Sequence, residues 1–255
     1  MTLFHEFVWP FHAVVSLHIL TGVVGLLAFW VPVFSRKGGN SHKRWGTVFT
    51  WSMLATGSIA VVMGLMTLYD PLGTHPHLGE PDFPAPLISG IFGWMMVYLA
   101  ILTINLAWYG RSCIRGRQAH AVNKRPLNLF LQLAVTVSAA LCAWQGIVLG
   151  QLLMVGISIV GFATAGTNLW FIYKPHRGPQ DWQKEHLKGL VGAGISVYTA
   201  FFAFGAVRLM PEIALNPGLW AVPLVTGLAI ILYHWYRLSR SPAGRRASRA
   251  TGLAS

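Results

Sequence analysis

Long apolar runs separated by short polar stretches fill most of the chain. A helix needs about 20 apolar residues to cross the hydrocarbon core of a bilayer. Seven runs come close to that length, with approximate limits at Phe11–Phe34, Thr47–Tyr69, Leu87–Tyr109, Leu127–Gln145, Leu149–Tyr173, Leu187–Val207 and Gly218–Tyr236. The pattern predicts an all-α integral membrane protein, a bundle of seven transmembrane helices.

The fourth and fifth runs are separated only by the stretch "QGIVLGQ", Gln145–Gln151. Together the two runs have about twice the length of a single span. Two glycines, Gly146 and Gly150, mark a turn between them. We therefore expect a tight helical hairpin here rather than one long helix.

The basic residues lie on alternate connections between the runs. Eighteen of the nineteen Lys and Arg residues fall on the first, third and fifth connections or on the C-terminal tail, and only Arg208 falls on the other side. Cytosolic loops of membrane proteins are enriched in Lys and Arg. The N-terminus is therefore predicted outside and the C-terminus in the cytosol. The first basic residue is Arg36, so the first run is expected to be a retained helix rather than a cleaved signal peptide.

Composition supports a protein of the cytoplasmic (inner) membrane. The chain is 54% hydrophobic and 10% charged, whereas soluble domains carry about 25% charged residues. Its net charge of +12 comes from short stretches between apolar runs, which favours membrane topology over a nucleic-acid partner. Residues 1–238 are predicted to form one transmembrane domain. Residues 239–255 are predicted to be a basic, disordered tail that contacts anionic lipid headgroups.

Several kinds of chemistry are disfavoured because the sequence lacks the residues or motifs that they require. No Asp, Glu, Lys or Arg lies in the middle of a run, and such groups mark proton relays and ion paths. The two cysteines, Cys113 and Cys142, form no CxxC or CxxCH motif, which argues against a thiolate zinc site and covalent haem. No phosphate-binding loop, GxSxG elbow or dinucleotide fingerprint occurs. The sequence alone does not decide whether the chain is an enzyme.

His18 is the one histidine clearly within a run. Its helical face continues through Gly22 and Gly25, which is typical of close packing between helices. The favoured interpretation is a packed histidine bonded to a neighbouring helix. The alternative is a contact for a ligand such as quinone.

Three further histidines are predicted at the inner membrane face. His42 follows Asn40–Ser41, a pair suited to an N-cap, and begins the second helix. His186 begins the sixth helix, and His234 ends the seventh. Helix N-termini disfavour the charged imidazolium, and neutral imidazole is the form that binds metals. These histidines are therefore candidate ligands of one site, and the alternative is that they are ordinary interfacial residues.

Two stretches resemble a family of small bacterial multi-pass proteins of unknown function. They are "LHILTGVVGLLAFWVPVFSRKGGNSHKRWGTVFTWSM" and "PHRGPQDWQKEHLKGLVGAGISVYTAFFAFG". The family pattern has a first-helix His followed by glycines, a His-Arg/Lys-x-x-Gly entry to the second helix, and a late Glu-His that opens a helix of small residues. The matching residues are His18, His42, Gly46, Glu185 and His186. The resemblance covers about two-thirds of the chain and implies a common helical fold, but no activity.

The leading functional expectation is a binding or redox module for haem b or a transition metal. His42, His186 and His234 are the preferred ligands, Glu185 joins or orients the metal shell, and His18 contacts a hydrophobic molecule such as quinone. Expected partners are the bilayer and a redox protein or a second copy of the chain. One alternative is a transporter or sensor of a small apolar molecule, with the histidines as structural bonds or pH switches. A membrane-embedded metal hydrolase is a weaker alternative.

Overall fold

The computed structural model of the chain describes residues 3–76, 78, 83–117, 119–202 and 217–240. Within these ranges every regular element is a helix. The α-helices are α1 Leu3–Phe34, α2 Asn40–Tyr69, α3 Pro71–Thr74, α4 Ala85–Ile88, α5 Met96–Arg115, α6 Pro126–Val148, α7 Leu152–Tyr173, α8 Asp181–Ala200 and α9 Pro217–Arg240. A π-helical segment, Ser89–Met95, joins α4 to α5, and a 3-10 helix, His120–Lys124, precedes α6.

Within the described residues, six helical segments are long and apolar enough to cross a membrane, and the prediction of a multi-pass membrane protein is confirmed at that level. They are Trp9–Phe34, Asn40–Tyr69, Ala85–Arg115, Pro126–Val148, Leu152–Tyr173 and Ala221–Arg240. Their outer faces carry large apolar side chains, such as Leu27 at 70% exposure and Leu133 at 62%. Apolar exposure on this scale is unfavourable in water and favourable in lipid.

The sixth predicted span, Leu187–Val207, is not among these six segments. Helix α8 occupies its first part, but four of the first eight residues of that helix are charged, and residues 203–207 lie outside the described part of the chain. The seven-span count and the orientation stay predictions.

The helical hairpin between α6 and α7 is confirmed. Gly150 has φ +65°, which glycine adopts without strain. Its N–H donates to the Ile147 carbonyl at 3.2 Å, and the Gln151 N–H donates to the Gly146 carbonyl at 2.7 Å. These two bonds form a Schellman motif that ends α6. A Cβ on Gly146 would lie 2.8 Å from Met154 Cβ, so the second glycine is needed where the two helices meet.

The chain divides into two compact units, each described by itself. Unit 1 comprises Met1–Asn105 and Phe130–Thr167, and unit 2 comprises Leu106–Leu129 and Asn168–Ser255. The predicted single domain over residues 1–238 stays a prediction. The predicted tail over residues 239–255 lies almost entirely outside the described residues, since α9 ends at Arg240.

In unit 1, the hairpin of α1 and α2 is closed by small residues and aromatic contacts. Gly25 lies directly against the end of the Met53 side chain. One turn farther along α1, the rings of Phe29 and Phe49 lie 5.4 Å apart. Because residues spaced by three or four share a helix face, these contacts define the face of α1 that meets α2.

In unit 2, α5 and α8 approach until their backbones touch. A Cβ on Gly189 would lie 2.7 Å from the Gly110 Cα. Beside this crossing lies a core of buried side chains formed by Tyr109, Cys113, Phe171 and Ile172. The crossing therefore depends on glycine in both helices.

Candidate functional site: histidines bonded to backbone carbonyls

His18 bonds across the α1–α2 hairpin in unit 1. Its Nδ1 lies 3.2 Å from the Thr56 carbonyl oxygen, and the ring is half-buried. Gly22, one turn farther along α1, also faces Thr56, and a Cβ there would make an ordinary contact with Thr56 Cγ2 at 3.7 Å. A helical carbonyl has a second lone pair for an extra donor. The predicted bond to a neighbouring helix is confirmed, while a role in ligand binding stays a prediction.

His42 bonds to the end of α1. Its Nδ1 lies 3.2 Å from the Pro32 carbonyl oxygen. Lys37 Nζ donates to the same oxygen at 2.7 Å and to the Val33 carbonyl at 2.6 Å. The last carbonyls of a helix have no intrahelical partner. His42 and Lys37 therefore cap the C-terminus of α1.

The predicted N-cap of α2 was wrong. The N-cap is Gly39, without a side-chain cap bond, and Asn40 and Ser41 lie in the first turn of the helix. The preceding residue, Gly38, has φ +78°. This glycine turn redirects the chain early enough for α2 to begin at Asn40, two residues before His42, the predicted first residue of the helix.

His186 bonds α8 to α5 in unit 2. Its Nδ1 lies 2.8 Å from the Gly110 carbonyl oxygen. The preceding residue, Glu185, is buried at 9% exposure, and its Oε2 accepts a 2.6 Å hydrogen bond from the Tyr109 hydroxyl. Lys188 Nζ lies 2.5 Å from the same oxygen. Two consecutive residues of α8 thus hold two consecutive residues of α5.

Sequence reasoning missed Tyr109 as a partner in this arrangement. The spacing of Glu185 and Lys188 places them on one face of α8, so that pair is readable from the sequence. Tyr109 is 76 residues away from Glu185, and no local pattern links them. Its ring also lies beneath the ammonium of Lys188, 5.4 Å from the nitrogen.

His234 lies in the last part of α9, half-buried in unit 2. Its ring is 5.2 Å from the ring of Tyr233 in an edge-to-face arrangement. The next residue, Trp235, donates its indole N–H to the Lys184 carbonyl at 3.3 Å, which joins α9 to α8. His234 was predicted to end this helix, but α9 continues for six more residues, to Arg240.

The predicted metal ligands are His42, Glu185, His186 and His234. Among the residues that the structure describes, no group of three or more His, Cys, Asp or Glu is arranged to hold a metal ion. His42 belongs to unit 1 and the other three belong to unit 2. The shared ligand set stays a prediction.

His18, His42 and His186 share one hydrogen-bond geometry. In each, Nδ1 faces a backbone carbonyl oxygen. Because a carbonyl oxygen only accepts, Nδ1 carries the proton and donates it. In the neutral ring the lone pair then lies on Nε2, the nitrogen that binds a metal when Nδ1–H is held by an oxygen.

His120 shows the opposite arrangement. Its Nδ1 lies 3.3 Å from Asn123 Nδ2 and accepts a hydrogen bond from that amide nitrogen, which only donates. Burial and the nearby Arg177 guanidinium lower the pKa of His120. Both its Nε2 and Asn123 Oδ1 are buried without a hydrogen-bond partner in the described part of the chain. Sequence reasoning missed this pair, because its polar partner lies in a 3-10 helix that no hydrophobic pattern predicts.

Comparisons with family models, curated proteins and solved structures found no match for this chain. The resemblance on the two quoted stretches therefore stays an expectation. Any assignment of function must come from the geometry of the site itself.

Proposed function

We propose that the chain is a multi-pass protein of the cytoplasmic membrane that binds haem b or a transition metal through histidine Nε2 atoms and serves as a redox module. The observation that supports this proposal is the carbonyl-bonded Nδ1 that His18, His42 and His186 have in common. The same arrangement orients histidines that ligate metals, because it fixes both the tautomer and the ring.

The proposed ligands are His42, His186 and His234, and Glu185 supports His186 on α8. The Pro32 carbonyl orients the imidazole of His42, and the Gly110 carbonyl orients that of His186. These bonds increase the basicity of the opposite nitrogen. Bound haem supplies one-electron chemistry, with a potential set by its axial ligands. The proposed partners are a redox protein or a second copy of the chain, and anionic headgroups at the cytosolic face.

Cofactor content of purified variants tests the ligand assignment. His42→Ala and His186→Ala should each lose most of the bound haem or metal. The double variant should be no worse than either single one, because residues that act as one unit are non-additive. His12→Ala, an exposed histidine of α1, is the matched control. If each substitution removes little of the bound haem or metal and the two losses add, the ligand assignment is wrong. Transport or sensing of a small apolar molecule then becomes the better account.

The proposed orientation places the N-terminus outside. The native cysteines, Cys113 and Cys142, are buried, so single added cysteines report their own position. A membrane-impermeant thiol reagent applied from outside should label Leu78→Cys and leave Gly39→Cys unlabelled. Labelling of both from the same side contradicts the proposed topology.

A further inference from the structure

The Nε2 atom of His18 is a hydrogen-bond acceptor placed in a membrane-spanning segment. The segment begins at Trp9, and His18 lies nine residues farther along, about 14 Å at a rise of 1.5 Å per residue. The Nδ1–H is already donated to the Thr56 carbonyl. A charged imidazole is strongly disfavoured at this depth. The neutral ring therefore presents Nε2 as an acceptor.

Neighbouring polar groups in unit 1 are already engaged with one another. The Thr56 hydroxyl donates to the Thr21 hydroxyl at 2.9 Å. The Thr21 hydroxyl lies within hydrogen-bond distance of two carbonyl oxygens, that of Leu17 at 3.0 Å and that of His18 at 3.1 Å. Among the described residues the His18 ring makes no second hydrogen bond. An unsatisfied polar nitrogen in hydrocarbon costs several kcal/mol, so a donor from outside the chain is expected.

We propose that Nε2 of His18 accepts a hydrogen bond from a lipid-soluble hydroxyl compound of the quinol class. His18 is only half-buried, and the bilayer supplies such molecules. The inference deepens the proposed redox function by naming the class of molecule that His18 contacts, and it rests on that function for the identification of the hydroxyl compound as a quinol. An acceptor at Nε2 selects the reduced, hydroxyl-bearing form over the oxidised quinone, whose carbonyls only accept. Lipid headgroups are excluded as donors because they lie at the interface, shallower than His18.

A pair of ligands that differ only in the donor tests the proposal. Para-dodecylphenol carries a hydroxyl, and its methyl ether has a closely similar shape without the donor. The purified full chain is titrated with each, and the thermal unfolding midpoint is recorded, since a ligand that binds the folded state raises it. The phenol should bind at least about tenfold more tightly than the ether. Equal stabilisation by both compounds would overturn the proposal and indicate either an apolar groove alone or a water on Nε2.

The variant His18→Asn isolates the acceptor. An asparagine amide reaches the position of Nδ1 and can donate to the Thr56 carbonyl, but it has no atom at the position of Nε2. The preference for phenol should disappear in His18→Asn and persist in His12→Asn on the same helix. A phenol preference that survives in His18→Asn contradicts the assignment. The wild-type comparison needs no variant, so a failure of His18→Asn to fold leaves the proposal falsifiable.

The two proposals fail separately. If the wild-type chain binds neither haem nor metal, the phenol preference is still measurable, and only the proposed function is lost. If His18→Asn loses bound haem together with the phenol preference, His18 is an iron ligand and the quinol assignment is wrong. Retained haem with a lost phenol preference supports the inference.

Discussion

The α1–α2 hairpin of unit 1 and the α5–α8 crossing of unit 2 use the same histidine bond in two different settings. In the hairpin, His42 reaches the Pro32 carbonyl across ten residues, and the exposed ammonium of Lys37 donates to the same oxygen. In the crossing, His186 reaches the Gly110 carbonyl across 76 residues, beside a buried ion pair. A hairpin bond forms whenever its two helices pair, whereas the crossing must also satisfy a charge. The crossing should therefore be far more sensitive to substitution than the hairpin.

The largest expected difference between the two regions comes from one substitution made in each. Lys188→Met leaves the buried carboxylate of Glu185 without its ammonium partner and should destabilise the chain by about 3 kcal/mol. Lys37→Met removes two exposed bonds to the end of α1 and should cost under about 1 kcal/mol. Thermal unfolding in detergent measures both. Equal losses would remove the distinction between the two regions.

Glycine-to-alanine substitutions also distinguish the two regions, because the stability loss depends on which atoms the new methyl group contacts. At Gly189 it meets the backbone of Gly110, which cannot move alone, and we expect a loss of about 2 kcal/mol. At Gly25 it meets the flexible end of the Met53 side chain, and the loss should be under about 1 kcal/mol. Gly156 has open space around it, so Gly156→Ala is the control and should be neutral or stabilising. A larger loss at Gly25 than at Gly189 would contradict this account.

Removal of a hydroxyl should also cost more stability in the α5–α8 crossing than in the α1–α2 hairpin. Tyr109→Phe takes a hydrogen bond from the Glu185 carboxylate and should cost about 2 kcal/mol. Thr56→Val takes a neutral hydroxyl bond from the hairpin and should cost about 1 kcal/mol. The ratio of the two losses is the informative quantity. A ratio near one would show that the Glu185 carboxylate does not depend on the Tyr109 hydroxyl.

The smallest expected effect is a pH dependence at the connection between α7 and α8. Burial raises the pKa of Asp181, but the Lys174 ammonium at 2.7 Å and the Gly178 N–H at 2.9 Å outweigh it, so the pKa is lowered below 3.8. A lowered folded-state pKa stabilises the fold above the unfolded value, and this stability is lost as pH falls through the folded value. The contribution should be about 0.5 kcal/mol. In Asp181→Asn, the thermal unfolding midpoint should fall less steeply with pH between about pH 5 and pH 2 than it does in the wild type. An equal slope in the two proteins would contradict the assignment.

Local patterns were sufficient for six of the seven predicted spans and for contacts between neighbours in the chain. The apolar runs predicted the membrane segments because lipid requires each backbone to satisfy its own hydrogen bonds. Gly150 predicted the α6–α7 turn because glycine adopts positive φ without strain. The histidine–glycine face of α1 predicted that His18 bonds to a neighbouring helix. In each case the deciding interaction lies within a few residues or between consecutive helices.

Contacts between distant helices were beyond sequence reasoning. The partner of Glu185 is Tyr109, and only the crossing at Gly110 and Gly189 brings them together. The start of α2 was misplaced because the glycine turn before it, rather than a capping side chain, decides where the helix begins. Which nitrogen of each histidine faces a carbonyl is likewise a result of packing, and no residue pattern reports it.

The visible absorption spectrum of the purified wild-type chain, taken with a metal analysis of the same sample, tests the central claim most directly. Histidines whose Nδ1 is held by a carbonyl and whose Nε2 carries the lone pair are proposed to ligate haem b or a metal. The account predicts a Soret band, or in its absence a stoichiometric transition metal, and a loss of that signal in His42→Ala and His186→Ala. A colourless protein without bound metal would contradict the claim.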